Sequence, residues 1–280
     1  MTDDAKMPFL AHLAELRTRL LWCAVALLIG TGVGWNLSER FLAFIEGPLT
    51  GRTYLSALKE TVHEAARRRF PRLYERVKPA PAPGDPAPAD RRLNYGAPLE
   101  PFFVQVKLSM VIGAVLALPL LLYQTWLFVA PGLTRKERRL VVPFITAGTL
   151  SFCLGAVFFL VVIWPVIINF SLSYEGPGLR SWFNLSAYVN FCLRLILIFG
   201  LVFELPVVSL ILARLGLLEA RVLARHRRFA FLASAIVAAF HADLITMAVV
   251  WIPLYLMYEA SIWVVRLLGR RGPTGSPAPA

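Results

Sequence analysis

Cysteine and charge are both scarce in this chain of 280 residues: it has three cysteines, and charged residues make up only 16% of the sequence. Cys23, Cys153 and Cys192 lie singly in apolar runs with no CxxC pair, which excludes a disulfide framework or a zinc site and leaves them as small packing residues. Acids are scarcer still, 17 against 29 Lys plus Arg, for a net charge of +12. There is no HExxH, GxSxG, P-loop or glycine-rich dinucleotide fingerprint, so no motif supports catalysis, a bound metal or a cofactor. His12 and His241 lack partners at metal-ligand spacing, and His63 and His226 sit in charged stretches as solvated groups.

What the chain has in abundance is apolar sequence. It is 58% hydrophobic with a mean hydropathy of +0.64, too apolar for a soluble domain of this size, and belongs in lipid. The basic excess, which in a soluble protein would suggest nucleic acid, then has a topological cause, and no nucleic-acid partner is expected. Spans are expected at about 20–35, 102–128, 141–165, 187–212, 229–242 and 244–265. They make an all-α polytopic membrane protein of six helices, because backbone groups in hydrocarbon must bond internally and these runs lack the alternation of barrel strands. The first run follows Arg17 and Arg19 like a signal peptide, but it has no small-x-small cleavage site before Asn36 and is expected to stay in the protein.

Lys and Arg in the short loops set the orientation. Arg135, Lys136, Arg138 and Arg139 mark one loop as cytoplasmic, and Arg214, Arg221, Arg225, Arg227 and Arg228 mark another, so both termini are expected inside. The loop 36–101 carries eleven basic residues on the opposite side, but long loops count weakly. It includes an insertion at about 54–94, in which 54–78 can form an amphipathic helix broken at Pro71 and 79–90 is a Pro/Ala linker. Residues 1–19 are expected as a cytoplasmic interfacial helix with Leu10, Leu13, Leu16 and Leu20 on one face, residues 20–265 as the transmembrane domain, and 266–280 as a cytoplasmic tail. The fifth span, at about 21 Å of helix, is short for a hydrocarbon core of about 30 Å, so it either thins the membrane or forms a sheltered hairpin with the sixth. No internal repeat relates the two halves, which speaks against a secondary transporter.

A few carboxylates stand out against this background. Glu15 is explained by an i,i+4 pair with Arg19 worth a few tenths of a kcal/mol. Glu137 fits a capping box with Thr134, yet it is the only acid among four basic residues, which also suits a carboxylate positioned for a cationic ligand. Glu204 lies well inside a span, where a charge costs roughly 2.5–3.5 kcal/mol, and Pro206 disturbs the ladder beside it; function is the default reading, and a buried glutamate bonded to freed backbone groups is the bland one. Lys107 and Arg194 are expected to snorkel, and Asp243 and Glu259 are adequately explained as helix-terminal acids. From these residues alone, a proton- or ion-coupled small-solute transporter using Glu204 is one alternative function.

Four motifs occur in order: His12-Leu-Ala-Glu15-Leu-Arg17-Thr-Arg19, Glu100-Pro-Phe-Phe103, Phe128-Val-Ala-Pro131 running on to Thr134-Arg-Lys-Glu137-Arg-Arg139, and Phe203-Glu204-Leu-Pro206. In this set the chain resembles the TatC family, the twin-arginine translocase subunit. The resemblance implies a concave bundle with two short C-terminal helices in the bacterial cytoplasmic (inner) membrane. It implies a receptor for twin-arginine signal peptides that works with TatB-like and TatA-like single-span subunits, as homo-oligomers within a hetero-complex, to export folded proteins on the proton-motive force. Carried over, Glu15 and Glu137 match the signal-peptide carboxylates, with Arg17 and Phe128 beside them. Glu204 matches the intramembrane glutamate of the concave face, and Pro48, Glu100, Asp243 and Glu259 match structural or partner-helix positions. A guanidinium fork suits such carboxylates, and lysine should substitute poorly. Two features depart from the family: Phe240-His241-Ala242 and Met247 stand where it usually has Thr-Pro-Pro and Ser-Gln, and the 54–94 insertion has no counterpart.

Overall fold

The computed structural model describes residues 9–50, 92–129, 141–175, 180–239 and 244–268, and all of its regular structure beyond one isolated bridge is helical. Helix α1 spans Phe9–Glu46, α2 Glu100–Val129 and α3 Val141–Phe158. A π-helical turn, Phe159–Ile163, leads into α4, Trp164–Leu172. Then come α5, Leu185–Phe203, α6, Leu205–Arg214, α7, Ala220–Arg225, α8, Arg227–Ala238, and α9, Leu244–Leu268.

Among the described residues five helical segments are long and apolar enough to cross a membrane: Ala14–Glu46, Glu100–Phe128, Val141–Leu172, Leu185–Arg214 and Met247–Leu268. Their cores match the expected spans. The sixth expected span, 229–242, corresponds to α8, whose 12 residues give about 18 Å of rise and do not meet that length. The N-terminal stretch and the first span form one unbroken 38-residue helix, because no proline falls between Phe9 and Glu46 to end it. Most of the 54–94 insertion lies outside the described residues.

Two kinks arise from proline. Pro165 has no N–H to continue the ladder, and just before it the Trp164 N–H reaches back to the Phe159 carbonyl in π-helical fashion. Pro206 is the second residue of α6, and a single turn residue, Glu204, separates α5 from α6. There Ser151 of α3 donates to the Phe203 carbonyl at 2.5 Å across the helix interface.

The core lies between α3, the π turn, α4 and α5. Phe159 and Phe199 pack with ring centroids 5.3 Å apart, Trp164 and Tyr188 at 4.9 Å, and Phe158 and Phe203 at 5.7 Å. Gly155 and Gly200 accommodate facing phenylalanines: a Cβ at Gly155 would lie 2.8 Å from Phe203 Cβ, and one at Gly200 would lie 2.5 Å from the Phe152 ring. The α1/α2 contact is different. There Gly30 and Gly34 meet the backbone of Gly113 and Ser109, and a Cβ on Gly30 or Gly113 would collide with main-chain atoms of the other helix. Such backbone-to-backbone approach is how small residues let membrane helices associate without a hydrophobic drive.

The far end of α1 is fixed from two sides. Trp164 Nε1 donates to the Ile45 carbonyl at 3.0 Å and the Tyr188 hydroxyl donates to the same oxygen at 2.6 Å, satisfying one of the carbonyls left open at a helix C-terminus. At the same end of the bundle, Asn94 and Asn184 form the isolated bridge, and Asn184 caps α5 by accepting from the Ala187 N–H at 2.9 Å.

Candidate functional site

Glu15 and Arg19 stand one turn apart on α1 and form an ion pair, Arg19 Nη2 to Glu15 Oε1, at 2.9 Å. Arg19 also reaches across to α2, where Nη1 lies 3.5 Å from Gln124 Oε1, the long limit of a hydrogen bond. Gln124 is a buried amide that follows the apolar run 110–123 of α2. The pairing is incomplete: Glu15 Oε2 and Arg19 Nε are both buried and have no hydrogen-bond partner among the described residues. One turn beyond Gln124 on α2 is Phe128, half-buried, and between them Trp126 packs on Phe144 with centroids 5.2 Å apart. Arg17 is exposed, roughly 200° around the helix from both Glu15 and Arg19.

The structure therefore brings Glu15 together with Arg19 and Gln124, at the end of α1 opposite Ile45. Sequence reading missed Gln124, although a buried amide in a span is a signal of its own. Glu137, the second expected ligand carboxylate, lies outside the described residues, as does Asp243.

Glu204 is separate from this group. At the α5–α6 junction its carboxylate lies against Gly148 of α3, where an added Cβ would be 3.1 Å from Oε2. The residue is 7% exposed, and neither carboxylate oxygen has a hydrogen-bond partner among the described residues. The Thr149 hydroxyl and Trp126 Nε1 are likewise buried without partners. The bland reading, a glutamate side chain bonded to backbone groups freed by Pro206, is not seen among the described residues: the carbonyl Pro206 leaves open is that of Val202, and the Glu204 backbone N–H meets it while both carboxylate oxygens have no hydrogen-bond partner.

The remaining expected positions have structural explanations. Glu100 accepts from the Gly96 N–H at 2.9 Å and from the Ser186 N–H at 2.9 Å, so it joins the starts of α2 and α5. Glu259 pairs with Arg227 at 2.9 Å and accepts from the Tyr255 hydroxyl at 2.9 Å, fastening α8 to α9. Pro48 is buried in the turn after α1, next to Leu49, which is 1% exposed. Lys107 donates to Asn190 at 3.1 Å, and Arg194 is exposed on α5.

Several long apolar helices, with a carboxylate buried between them that has no partner among the described residues, define a multi-pass helical membrane protein. Known proteins specify it further. The family described as "Sec-independent protein translocase protein (TatC)" matches residues 11–253. A TatC protein of Desulforapulum autotrophicum is 30% identical over 271 residues, covering 96% of this chain and 88% of that protein, and one of Koribacter versatilis is 31% identical over 265 residues, covering 94% and 86%. A crystal structure described as the twin arginine translocase receptor TatC superposes with a TM-score of 0.68 at 28% identity, covering 92% of this chain and 100% of that one. The chain belongs to the TatC family of Sec-independent protein translocase proteins.

Proposed function

We propose that this chain is the receptor and core subunit of a twin-arginine translocase in the bacterial cytoplasmic membrane, binding twin-arginine signal peptides and supporting export of folded proteins on the proton-motive force. Family membership supports the translocase role. The observation that carries the receptor role is the Glu15 carboxylate, which has one oxygen engaged by Arg19 and the other buried without a partner among the described residues. A buried, unmet acceptor oxygen is costly, and an arriving guanidinium satisfies it with a charge-assisted hydrogen bond. Glu137 supplies the carboxylate for the second arginine, Phe128 flanks the pair, and Arg17 adds a positive charge that repels peptides lacking a fitting fork.

Both termini are cytoplasmic on this reading, supported by the basic loops around Arg135 and Arg225. The short α8 makes the sixth crossing where the membrane thins, after an N-terminal segment whose first turns lie at the interface. TatB-like and TatA-like single-span subunits and further copies of this chain complete the complex, with Glu204 lining its concave face and Pro48, Asp243 and the last hairpin near the partner helices. A solute transporter built on Glu204 is less well supported, because the family is one of protein translocases. The test is export of a twin-arginine reporter in cells whose own copy is replaced by the Glu15→Gln, Glu137→Gln double variant. Export should stop while the variant still inserts at normal levels, and unchanged export would sink the receptor reading.

A further inference from the structure

Two exposed cations within apolar spans meet on the seam between α2 and α5. Lys107 follows the first residue of α2 by roughly 10 Å of helix, and Arg194 follows the first residue of α5 by roughly 13 Å. Snorkelling would lift each charge separately toward water. Instead Lys107 Nζ reaches across to α5 and donates to Asn190 Oδ1 at 3.1 Å, and Arg194 stands one turn further along the same face as Asn190. Asn190 is in turn held by Ser186, whose hydroxyl accepts from Nδ2 at 3.3 Å. No carboxylate among the described residues pairs with either cation: the ion pairs there join Arg19 to Glu15 and Arg227 to Glu259, and Glu100 turns its oxygens to the Gly96 and Ser186 N–H groups. Past the cations the same surface becomes apolar. On α5, Asn190, Arg194, Leu197 and Leu201 fall within about 60° of one another around the axis. Leu197 and Leu201 are exposed, and so is Met110, three residues beyond Lys107 on α2.

We propose that this seam binds an anionic phospholipid, with the phosphate between Lys107 and Arg194 and the acyl chains along Met110, Leu197 and Leu201. The surface has the layout of that ligand, a cationic end followed by an apolar stripe running into the hydrocarbon. Phosphate oxygens accept from an ammonium and from a guanidinium fork together, which gives two otherwise uncompensated cations a counter-charge. A zwitterionic headgroup carries its own ammonium beside the phosphate, so its net attraction to the pair is smaller, and a net-negative head such as phosphatidylglycerol is preferred. A carboxylate on another protein's helix would meet the same cations but must itself be carried into the bilayer, whereas a lipid phosphate already stands at the edge of the hydrocarbon. The leaflet is the one at the Ile45 end of the bundle, the outer one on the orientation proposed above. The site does not depend on the receptor reading.

The test titrates phosphatidylglycerol and phosphatidylcholine into the full chain in detergent micelles and reads the affinity of the first lipid retained by native mass spectrometry. Wild type should hold phosphatidylglycerol about tenfold more tightly than phosphatidylcholine at low salt. In the Lys107→Gln, Arg194→Gln double variant the preference should fall to about twofold, while Arg194→Lys, which keeps both charges, should retain about fivefold. An Arg221→Gln, Arg225→Gln control, on exposed arginines of α7, should leave the wild-type ratio in place. Should the double variant fail to fold, Arg194→Gln alone serves, with an expected preference of about threefold. An undiminished ratio in the variants lacking these charges overturns the proposal, as does a ratio lost in the control, which would place the lipid at the basic loop instead. Equal affinity of wild type for the two lipids also overturns it and leaves the stripe to a protein helix.

Discussion

The α1/α2 pair and the α3/α5 pair are both long apolar helix pairs, yet the apolar stretches of the first two spans are only 11% and 17% buried, against 50% and 39% in the third and fourth. The first pair is held by glycines that bring backbones together, with large side chains such as Leu28 and Ile29 left exposed. The second interlocks Phe152, Phe159, Phe199 and Phe203 with Gly155 and Gly200. In water the first arrangement would expose a large apolar face at a prohibitive cost, whereas in hydrocarbon an exposed leucine costs nothing and close backbone contact suffices. The two carboxylates follow the same division. Glu15, near the end of the lightly packed pair, is bonded to Arg19 with its side chain 20% exposed; Glu204, inside the dense one, is 7% exposed and has no hydrogen-bond partner among the described residues.

This contrast is broken most severely in the dense region. Phe199→Ala removes a fully buried ring that touches Phe158 and Phe159, and should lower stability by about 3 kcal/mol, read as an earlier thermal transition of tryptophan fluorescence in detergent. A shift no larger than that of Leu28→Ala, on an exposed face of α1, would show that the two regions are equally loose. On the glycine seam the opposite change is damaging. Gly113→Leu inserts a side chain where Thr31 and Gly30 backbone atoms already stand, and should separate the helices at a cost of about 2 kcal/mol. Loss of disulfide crosslinking between cysteines placed on the two helices would report it, whereas retained crosslinking would mean that the seam is not what joins them. The smallest effect is expected at Glu204: replacing a buried carboxylate that has no partner among the described residues by Gln should stabilise the protein by about 1 kcal/mol. A lower transition temperature would reveal a partner for the carboxylate.

Much of this was legible in the sequence because lipid demands long apolar helices, and five such segments coincide with expected spans. The break in the fourth span was readable from Pro206, and the Glu15–Arg19 pair from its i,i+4 spacing. The rest was not readable because it depends on which helices meet. The Gly30, Gly34 and Gly113 seam carries a small-residue spacing within α1, but its partner 79 to 83 positions away is set by tertiary packing. Gln124 became meaningful only when α2 was placed beside Arg19. The π turn before Trp164 has a cause in Pro165, but its effect, aiming the indole at Ile45, belongs to the assembled bundle.

That indole has a consequence far from itself. With Trp164 and Tyr188 both bonded to one carbonyl oxygen at the end of α1, the helix cannot turn about its own axis without breaking both contacts. The azimuth of every side chain along the rod is thereby phased from Ile45, and Glu15, about 45 Å away along the same helix, points where that phase dictates. One residue added between them would swing its carboxylate by about 100° toward a different neighbour, while seven would return it to within about 20° of its bearing. The angular setting of the proposed receptor carboxylate is thus stored at the opposite end of the bundle, in two hydrogen bonds that no signal peptide need ever touch.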